Sequence, residues 1–219
     1  MKKIISLVLC LVLGSFILSG CSGSDEPFEE KSYTADTQIN EIHLDVQDRE
    51  IEVSLSEDGQ IHIQYSENSK EYYNIAVSGN VLTMTSASDK EWTDYIGGKP
   101  AAENRKISLL IPNTLVESLT LSTTNEDITL SALVVTGSIS LSSNGGNITF
   151  ETLDVGDSLT LNAKNGDISG AIVGSYDDFA IQSDIKKGDS NLPDQKDDGE
   201  KILNVTCNNG DVDIELVSN

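Results

Sequence analysis

The second half of the chain repeats itself every 20 residues, and this period constrains the fold more than any other feature. A unit this short cannot bury its own apolar face, whereas stacked units cover one another. The period therefore predicts an all-β domain, a right-handed β-helix-like solenoid with coils of about 20 residues from about residue 115. Apolar residues return in five columns: Leu119, Ile139, Leu159 and Phe179; Leu121, Leu141, Leu161 and Ile181; Ile128, Ile148 and Ile168; Leu133, Leu153 and Val173; and Leu115, Val135 and Val155.

The register resumes at Leu203 and Val205, four residues later than the period requires. The intervening residues 185–201 are rich in Lys, Asp, Gly and Pro, which predicts an exposed loop that leaves the fourth coil. A sandwich of hairpins is the alternative all-β arrangement. It would need turn signals at shorter spacing, and it would not require columns in phase.

Residues 39–111 alternate apolar and polar side chains, as is typical of strands with one buried face. The runs at 42–46 and 107–111 are the clearest examples. Tight turns are expected at 57–59 and 78–80, where Gly is flanked by Asp, Ser or Asn. A single domain is therefore predicted from residue 33 to residue 219.

Each repeat carries Asn, Gly or Asp at one phase, in the turns 125–127, 145–147, 165–167 and 209–211. These residue types tolerate left-handed backbone angles and bond their own backbone, so the turns are expected to be stacked corners. The corners also form a candidate calcium site, because oxygen ligands would lie one strand spacing apart. Its residues are Asp127, Asn147, Asp167 and Asp211. Corner chemistry alone is the alternative, and no other cofactor is indicated.

The predicted export signal covers residues 1–21. Lys2 and Lys3 precede an apolar run, residues 4–18, that is too short for an ordinary membrane span. The run ends in Leu-Ser-Gly-Cys21, which resembles the bacterial lipobox, and the resemblance implies that Cys21 receives diacylglycerol. An ordinary secretory peptide or an uncleaved anchor is the alternative. We therefore expect a protein held at the cell membrane by covalent lipid, on the extracytoplasmic face.

A flexible tether is predicted for residues 22–32, which are polar and acidic and show no apolar period. Loss of Lys2 and Lys3 with the signal leaves 12 basic residues against 36 acidic ones, a net charge of about −24. This charge argues against nucleic acid as a partner and against a protein that lies flat on anionic lipid. It permits cationic partners, divalent ions or plain solubility.

The longest interruption of the strand pattern, residues 86–106, holds the only tryptophan of the chain. Trp92 and the nearby Tyr95 are able to stack on sugar rings or anchor a protein contact, so they form a candidate ligand loop. A lid is the alternative, because the open end of a solenoid exposes strand edges and apolar side chains.

The sequence holds no Ser-His-Asp context, phosphate-binding glycine loop, Cys-x-x-Cys or His-Glu-x-x-His pattern. A solenoid that cleaves carbohydrate needs paired carboxylates or a basic side chain in a groove. Apart from its lysines, the mature chain offers only Arg49, Arg105, His43 and His62 for such a site, so the chain is predicted not to be an enzyme. Cys207 is expected to be a small structural side chain rather than a reactive thiol.

Three features resemble the bacterial putative-adhesin family of β-strand repeats known as DUF4097, whose function is unknown. The likeness covers nearly all of residues 33–219, and it implies an extracytoplasmic β-helical domain linked to adhesion or to envelope-stress signalling. No catalytic residue comes with it. The features are the strand closed by proline at 107–112, the following Leu119-Thr120-Leu121, and the Asn-Gly-Asp-Ile-like turns at 125–128, 144–148, 165–168 and 209–212.

Three functions remain open at this point. The first is a non-enzymatic binding module of the cell envelope, whose loop contacts a surface polymer or an envelope protein. The second is an accessory protein of envelope-stress signalling that acts on a membrane partner, which the short tether favours. The third is a β-helix enzyme that cleaves carbohydrate, which should show a groove with clustered carboxylates and a basic residue.

Overall fold

The computed structural model describes residues 26–90, 99–113 and 116–218. In these ranges the chain forms eighteen β-strands and two 3-10 helices, Ala102–Arg105 and Tyr176–Asp178, without an α-helix. No helix in the same ranges is long and apolar enough to cross a membrane. The strands are β1 (Glu29–Thr34), β2 (Glu41–Asp45), β3 (Glu50–Leu55), β4 (His62–Glu67), β5 (Glu71–Ser78), β6 (Val81–Ser88), β7 (Lys106–Ile111), β8 (Ser118–Thr123), β9 (Ile128–Leu130), β10 (Leu133–Val135), β11 (Ser138–Ser143), β12 (Ile148–Val155), β13 (Ser158–Asn165), β14 (Ile168–Val173), β15 (Phe179–Ile185), β16 (Gln195–Lys196), β17 (Lys201–Asn209) and β18 (Val212–Val217).

The strands build two nine-stranded sheets around one apolar core. The first sheet has the order β1-β4-β7-β3-β9-β12-β14-β18, with β10 also paired to β12. The second sheet has the order β16-β15-β17-β13-β11-β8-β2-β6-β5. Within each coil the chain passes from one sheet to the other, so each coil contributes a strand to both sheets. The all-β prediction is confirmed.

The middle coils keep the 20-residue period. In the second sheet Ser138 pairs in parallel with Ser118 on one side and with Ser158 on the other. In the first sheet Ile148 pairs with both Ile128 and Ile168. The apolar columns of these coils are fully buried, because parallel pairing in register places like side chains above one another.

The stacking order at the C-terminal end differs from the expectation. The last coil, β17 and β18, lies between β13 and β15 instead of beyond β15. Leu203 therefore pairs with Leu159 on one side and with Ile181 on the other, and Phe179 lies opposite Lys201. Placing Phe179 in the Leu159 column was wrong by two residues. A shared apolar phase lets a strand pair with either neighbour, so the period alone does not determine stacking order.

A second correction concerns the Leu133 column. The register between β12 and β14 shifts after Phe150, so Leu153 pairs with Ile172 and not with Val173. Ile172 is fully buried, whereas Val173 is only partly buried. The β-bulge adds one residue to β12, and a count by twenties misses it.

The N-terminal end is also built out of sequence order. The coil of β2 and β3 lies against β8 and β9, and the coil of β6 and β7 lies outside it. The antiparallel strands β4 and β5 lie beyond that coil, and β1 is the edge strand outside β4. β1 pairs with β4, so residues 29–32, predicted as tether, belong to the domain. The tether prediction is wrong there because half of this strand's residues are charged, which hides its alternation.

The C-terminal end is closed by the chain itself. Residues 186–200 pass around the last coil, and β16 pairs antiparallel with β15. The side-chain amide of Asn191 donates to the carbonyl oxygen of Ile214 at 2.9 Å and accepts its N–H at 3.1 Å. Asn191 thereby occupies the edge of β18 where another strand would pair, so this segment covers the flank of the solenoid.

Candidate functional site: the Asp48 corner

The predicted corners stack in one column along the solenoid, which we call the corner ladder. The backbone N–H of Asn147 donates to Asp127 Oδ1 at 2.6 Å, and that of Asp167 donates to Asn147 Oδ1 at 2.9 Å. The N–H groups of Asp211 and Asp189 continue the pattern, to Asp167 at 2.9 Å and to Asp211 at 2.8 Å. One oxygen of each side chain thus accepts a hydrogen bond from the backbone of the next coil, which explains why Asp or Asn occurs at this position of the repeat.

The four candidate calcium ligands therefore lie side by side, as expected, but each uses an oxygen for the ladder. Among the residues that the structure describes, no group of three or more His, Cys, Asp and Glu side chains is arranged to hold a metal ion. A calcium ion at Asp127, Asn147, Asp167 and Asp211 stays a prediction, and the hydrogen bonds supply a structural reason for the same residues.

Glycine is required beside the ladder because the coils approach closely there. A Cβ atom on Gly166 would lie 2.3 Å from the carbonyl oxygen of Gly146, and one on Gly210 would lie 2.2 Å from that of Gly166. Both glycines also have a φ of +154°. No other residue type fits such a contact without displacing the backbone.

Behind the ladder, small buried side chains fasten each corner to the coil below. Thr123 Oγ1 donates to the carbonyl oxygen of Arg49 at 2.7 Å, and Ser143 Oγ donates to that of Glu126 at 3.0 Å. Cys207 Sγ occupies the same phase, 3.5 Å from the carbonyl oxygen of Gly166. Burial raises the pKa of the Cys207 thiol, which disfavours the nucleophilic thiolate and supports the structural interpretation.

At its N-terminal end the ladder meets a charged cluster that sequence analysis did not find. Asp48 begins the cluster: its backbone N–H donates to Thr124 Oγ1 at 2.9 Å, and its Oδ1 accepts from Asn125 Nδ2 at 2.6 Å. We call the cluster the Asp48 network. Its members are Asp48, Arg49, Glu71, Tyr73, Lys90, Lys99, Arg105 and Glu126.

Arg49 is the buried centre of this network, with only 5% of its side chain exposed. Its Nε donates to Tyr73 Oη at 2.6 Å, one terminal nitrogen donates to Glu71 Oε2 at 2.8 Å, and the other donates to the Asp48 carbonyl oxygen at 3.0 Å. A buried guanidinium is tolerated only where its donors are satisfied, and here each nitrogen has an oxygen partner. The guanidinium therefore joins Asp48 to Glu71 and Tyr73 of β5.

The electrostatics of the network follow from these contacts. Burial by itself would lower the pKa of Arg49, but the oxygens of Tyr73 and Glu71 outweigh burial and raise it. Burial would raise the pKa of Glu71, but hydrogen bonds from Arg49 and Lys90 outweigh burial and lower it. Burial raises the pKa of Tyr73, which keeps its hydroxyl neutral. The ion pair is thus charged at neutral pH.

The residues on both sides of the Trp92 segment, residues 91–98, form ion pairs with this network. We call these two residues, Lys90 and Lys99, the roots of the segment. On one side Lys90 Nζ lies 2.7 Å from Glu71 Oε1. On the other side Lys99 Nζ lies 2.9 Å from Glu126 Oε1 and 3.8 Å from Asp48 Oδ1. Arg105 also pairs with Glu126. The residues on both sides of the segment are therefore bound to the Asp48 network. We call this part of the solenoid the Asp48 corner.

Three predicted site residues, Cys21, Trp92 and Tyr95, lie outside the described residues. The open end that a lid would cover is formed by β1, β4 and β5 in the described ranges. Lys90, which precedes residues 91–98, pairs with Glu71 of β5 at this end, whereas Lys99, which follows them, pairs with Asp48 and Glu126. The lid therefore stays an alternative. One signal for the network was available in the sequence. The two arginines of this acidic chain, Arg49 and Arg105, both belong to it.

The histidines named for a carbohydrate-cleaving site have local partners. His62 lies 2.9 Å from Asp58 Oδ1 and 2.9 Å from Thr34 Oγ1. The hydrogen bond from His62, with those from Gln60 and Ser56, lowers the pKa of Asp58. His43 lies on β2, 3.7 Å from Glu41. The two arginines are held by carboxylates of the Asp48 network, so three of the four predicted basic groups have an acidic partner within hydrogen-bond distance.

The fold is similar to that of one solved structure with a TM-score above 0.5. A protein from Clostridium sporogenes, described as a putative cell adhesion protein, is similar over 86% of this chain and 100% of that chain, with a TM-score of 0.54 and 11% identity. A putative adhesin from Bacteroides fragilis is similar over 88% of this chain and 98% of that chain, with a TM-score of 0.37 and 15% identity. At 11% identity, the likeness to the Clostridium sporogenes protein shows the fold alone.

No curated protein matches the chain significantly in sequence. The family model described as Toastrack DUF4097 matches residues 39–218, which cover most of the chain and all but the outermost strand of its fold. The resemblance seen in the Asn-Gly-Asp-Ile-like turns is thereby confirmed, and the chain belongs to the Toastrack DUF4097 family.

Proposed function

We propose that this chain is a non-enzymatic, lipid-anchored binding module of the bacterial cell envelope, which contacts its ligand at the Asp48 corner. One observation carries the proposal: a single charged network ties both roots of the Trp92 segment to the solenoid. Lipid attachment at Cys21 and contact through Trp92 and Tyr95 are parts of the proposal.

The network supports this function because it holds the roots of the segment in place before any ligand arrives. Ordering a loop on binding costs free energy, and a loop with fixed roots has less freedom to lose. A tryptophan and a tyrosine add large contact areas at a small cost in side-chain entropy. The net charge of the whole chain, −22, favours a ligand that is neutral or cationic over an anionic one.

A partner in the same membrane is the second candidate, and the start of the fold favours it. Residue Glu26 is already held at the N-terminal end, where Asn68 Nδ2 donates to its carbonyl oxygen at 3.2 Å. The leash, as we call the part of the predicted tether between Cys21 and the fold, is therefore shorter than the sequence predicted. A domain on so short a leash reaches proteins of its own membrane more readily than distant polymers, which suits an accessory role in envelope-stress signalling.

The test compares three forms of the full chain, each purified from membranes of producing cells: wild type, Trp92→Ala/Tyr95→Ala, and the control Tyr176→Ala. Tyr176 is a suitable control because it is 49% exposed and lies outside the Asp48 corner. Each form is immobilised and exposed to purified cell-wall polymers and, separately, to detergent-solubilised membrane proteins.

Retention of wall polymer by wild type and Tyr176→Ala, but not by the double variant, is the result expected for an adhesin-like module. Retention of one membrane protein with the same dependence would support the signalling role instead. Equal retention by all three forms, or none by any, would contradict binding at the Asp48 corner.

A further inference from the structure

We propose that the N-terminal end of the solenoid lies against the bilayer, with the free edges of β1 and β5 toward the lipid headgroups. This placement rests on the lipid attachment that is part of the proposed function. It adds an orientation: the solenoid stands on its N-terminal end, and residues 186–200 lie at the end away from the membrane.

The length of the leash is the first argument. Four residues separate Cys21 from Glu26, and five peptide units span at most about 18 Å. The hydroxyl of Ser69 pairs with the Glu26 carboxylate, and residues 68–70 join the two end strands β4 and β5. The leash therefore attaches at the rim of this end. The second sheet has nine strands, so the opposite end lies about 38 Å farther along the axis at about 4.8 Å per spacing.

The chemistry of the end is the second argument. Residues 74–88, from β5 through its turn into β6, contain no charged side chain, although the chain carries a net charge of −22. Ile75, Val77, Tyr65 and Tyr73 pack on the core but are only partly buried. Tyrosine is enriched at the level of lipid headgroups, and an uncharged strand loses little when it approaches that layer.

Charge distribution is the third argument. At this end Glu67 pairs with Lys31 at 2.7 Å, and Glu71 pairs with Arg49 and Lys90. Glu29 and Glu30 remain exposed at the rim, beside the leash. The opposite end carries residues 186–200, in which three lysines and five acidic side chains suit an aqueous surrounding.

The experiment uses the lipidated full chain, reconstituted into vesicles of phosphatidylethanolamine and phosphatidylglycerol that include a nitroxide-headgroup lipid. In a Cys207→Ser background, a fluorophore is attached to Asn74→Cys on β5, Thr149→Cys on β12 or Lys187→Cys at the far end. All three positions are exposed. The expected result is loss of most fluorescence at position 74, less at 149 and least at 187.

Equal quenching at the three positions, or the reverse order, would overturn the orientation. Excimer emission from pyrene at Asn74→Cys, in vesicles without nitroxide, would show that a second copy occupies this end, and would overturn the proposal as well. Alkaline carbonate separates the two proposals: if it strips the wild-type chain from vesicles, lipid attachment fails, and the proposed function loses its anchor.

Discussion

At both ends of the solenoid the chain forms outer strands before it forms the coil that lies beneath them. β4 and β5 precede β6 and β7 at the N-terminal end, and β15 and β16 precede β17 and β18 at the C-terminal end. The chemistry of the two ends differs, however. The N-terminal end leaves two free edges, the half-charged β1 and β5, which is uncharged from residue 74 onward, beside a buried ion pair. The C-terminal end is covered by charged chain and the Asn191 amide.

This difference shows how one repeat is adapted to two surroundings. Of the strands that fill these gaps, β6, β7 and β17 are paired on both sides, so the outermost strands cannot open without disturbing the coil beneath them. An end that faces water needs its strand edge covered to prevent pairing with other chains. In the proposed orientation the N-terminal end faces lipid headgroups and does not have that need, and the uncharged stretch of β5 suits the bilayer.

Glycine replacement should give the largest contrast between the ends. Gly210→Val in the C-terminal coil should cost about 3 kcal/mol or more of unfolding free energy, because its Cβ meets a backbone oxygen. Gly79→Asn in the β5–β6 turn should stay within about 1 kcal/mol, since open space surrounds that residue and Asn tolerates its φ of +62°. Urea titrations measure both, and equal effects would contradict the packing of the corner ladder.

The ion pair of the N-terminal end should give the next largest effect. Arg49→Met should cost about 2 kcal/mol, less than the ~3–5 kcal/mol for a buried charge left alone, because Glu71 keeps Lys90. Lys106→Met is the matched control, since its pair with Glu52 is exposed and should contribute below about 1 kcal/mol. If both variants unfold at the same urea concentration, the Asp48 network is not a stabilising centre.

Asn191→Ala should expose the covered edge of the C-terminal end. Loss of its hydrogen bonds to Ile214 and Asp213 should cost about 1 kcal/mol. The open edge should also promote self-association with rising concentration, which sedimentation velocity detects. Ser190→Ala is the control, and association that is unchanged from wild type would show that Asn191 does not cover the edge.

Lowering the pH should reduce the unfolding free energy of wild type through the N-terminal end, and Glu71→Gln should abolish this contribution to the pH dependence. The pKa of Glu71 is lower in the folded than in the unfolded chain, so its contribution is present above the unfolded value, about 4.3. That contribution is lost as the pH falls through the folded pKa. The test is the urea midpoint of unfolding, measured from pH 6 to pH 3, a range of about three units around the unfolded value. Equal slopes of midpoint against pH for wild type and Glu71→Gln would contradict the prediction.

Cys207→Ser should have the smallest effect. A hydroxyl already serves at the same phase in Ser143, so stability at neutral pH should change by less than about 1 kcal/mol. The folded thiol has a raised pKa, so wild type should lose stability as the pH rises above the unfolded thiol value, about 8.5, and the serine variant should not. Matching alkaline profiles would show that Cys207 is not held as a thiol.

The middle coils could be predicted because their order in space is their order in sequence. The phase of Leu119, Ile139 and Leu159 and the turns of Asn, Gly and Asp each gave the correct stacking. The ends could not be predicted in this way. Ile42 stacks on Leu119 although 77 residues separate them, and this distance is not a multiple of the period.

The candidate site was predictable only in part. The corner column was visible because its hydrogen bonds run between successive repeats. The Asp48 network joins Arg49, Glu71 and Glu126 from three distant coils, and no periodic signal relates them. Charge pairs of this kind depend on stacking order, so they become evident only when the order of the end coils is known.

Cross-linking in living cells tests the central claim, that the Asp48 corner is where a partner binds. A benzophenone amino acid is placed at position 92 in one variant and at position 176 in another, and adducts formed on illumination are separated by mass. The account expects one discrete adduct from position 92 and none above background from position 176. Adducts only from position 176, or the same adducts from both positions, would contradict it.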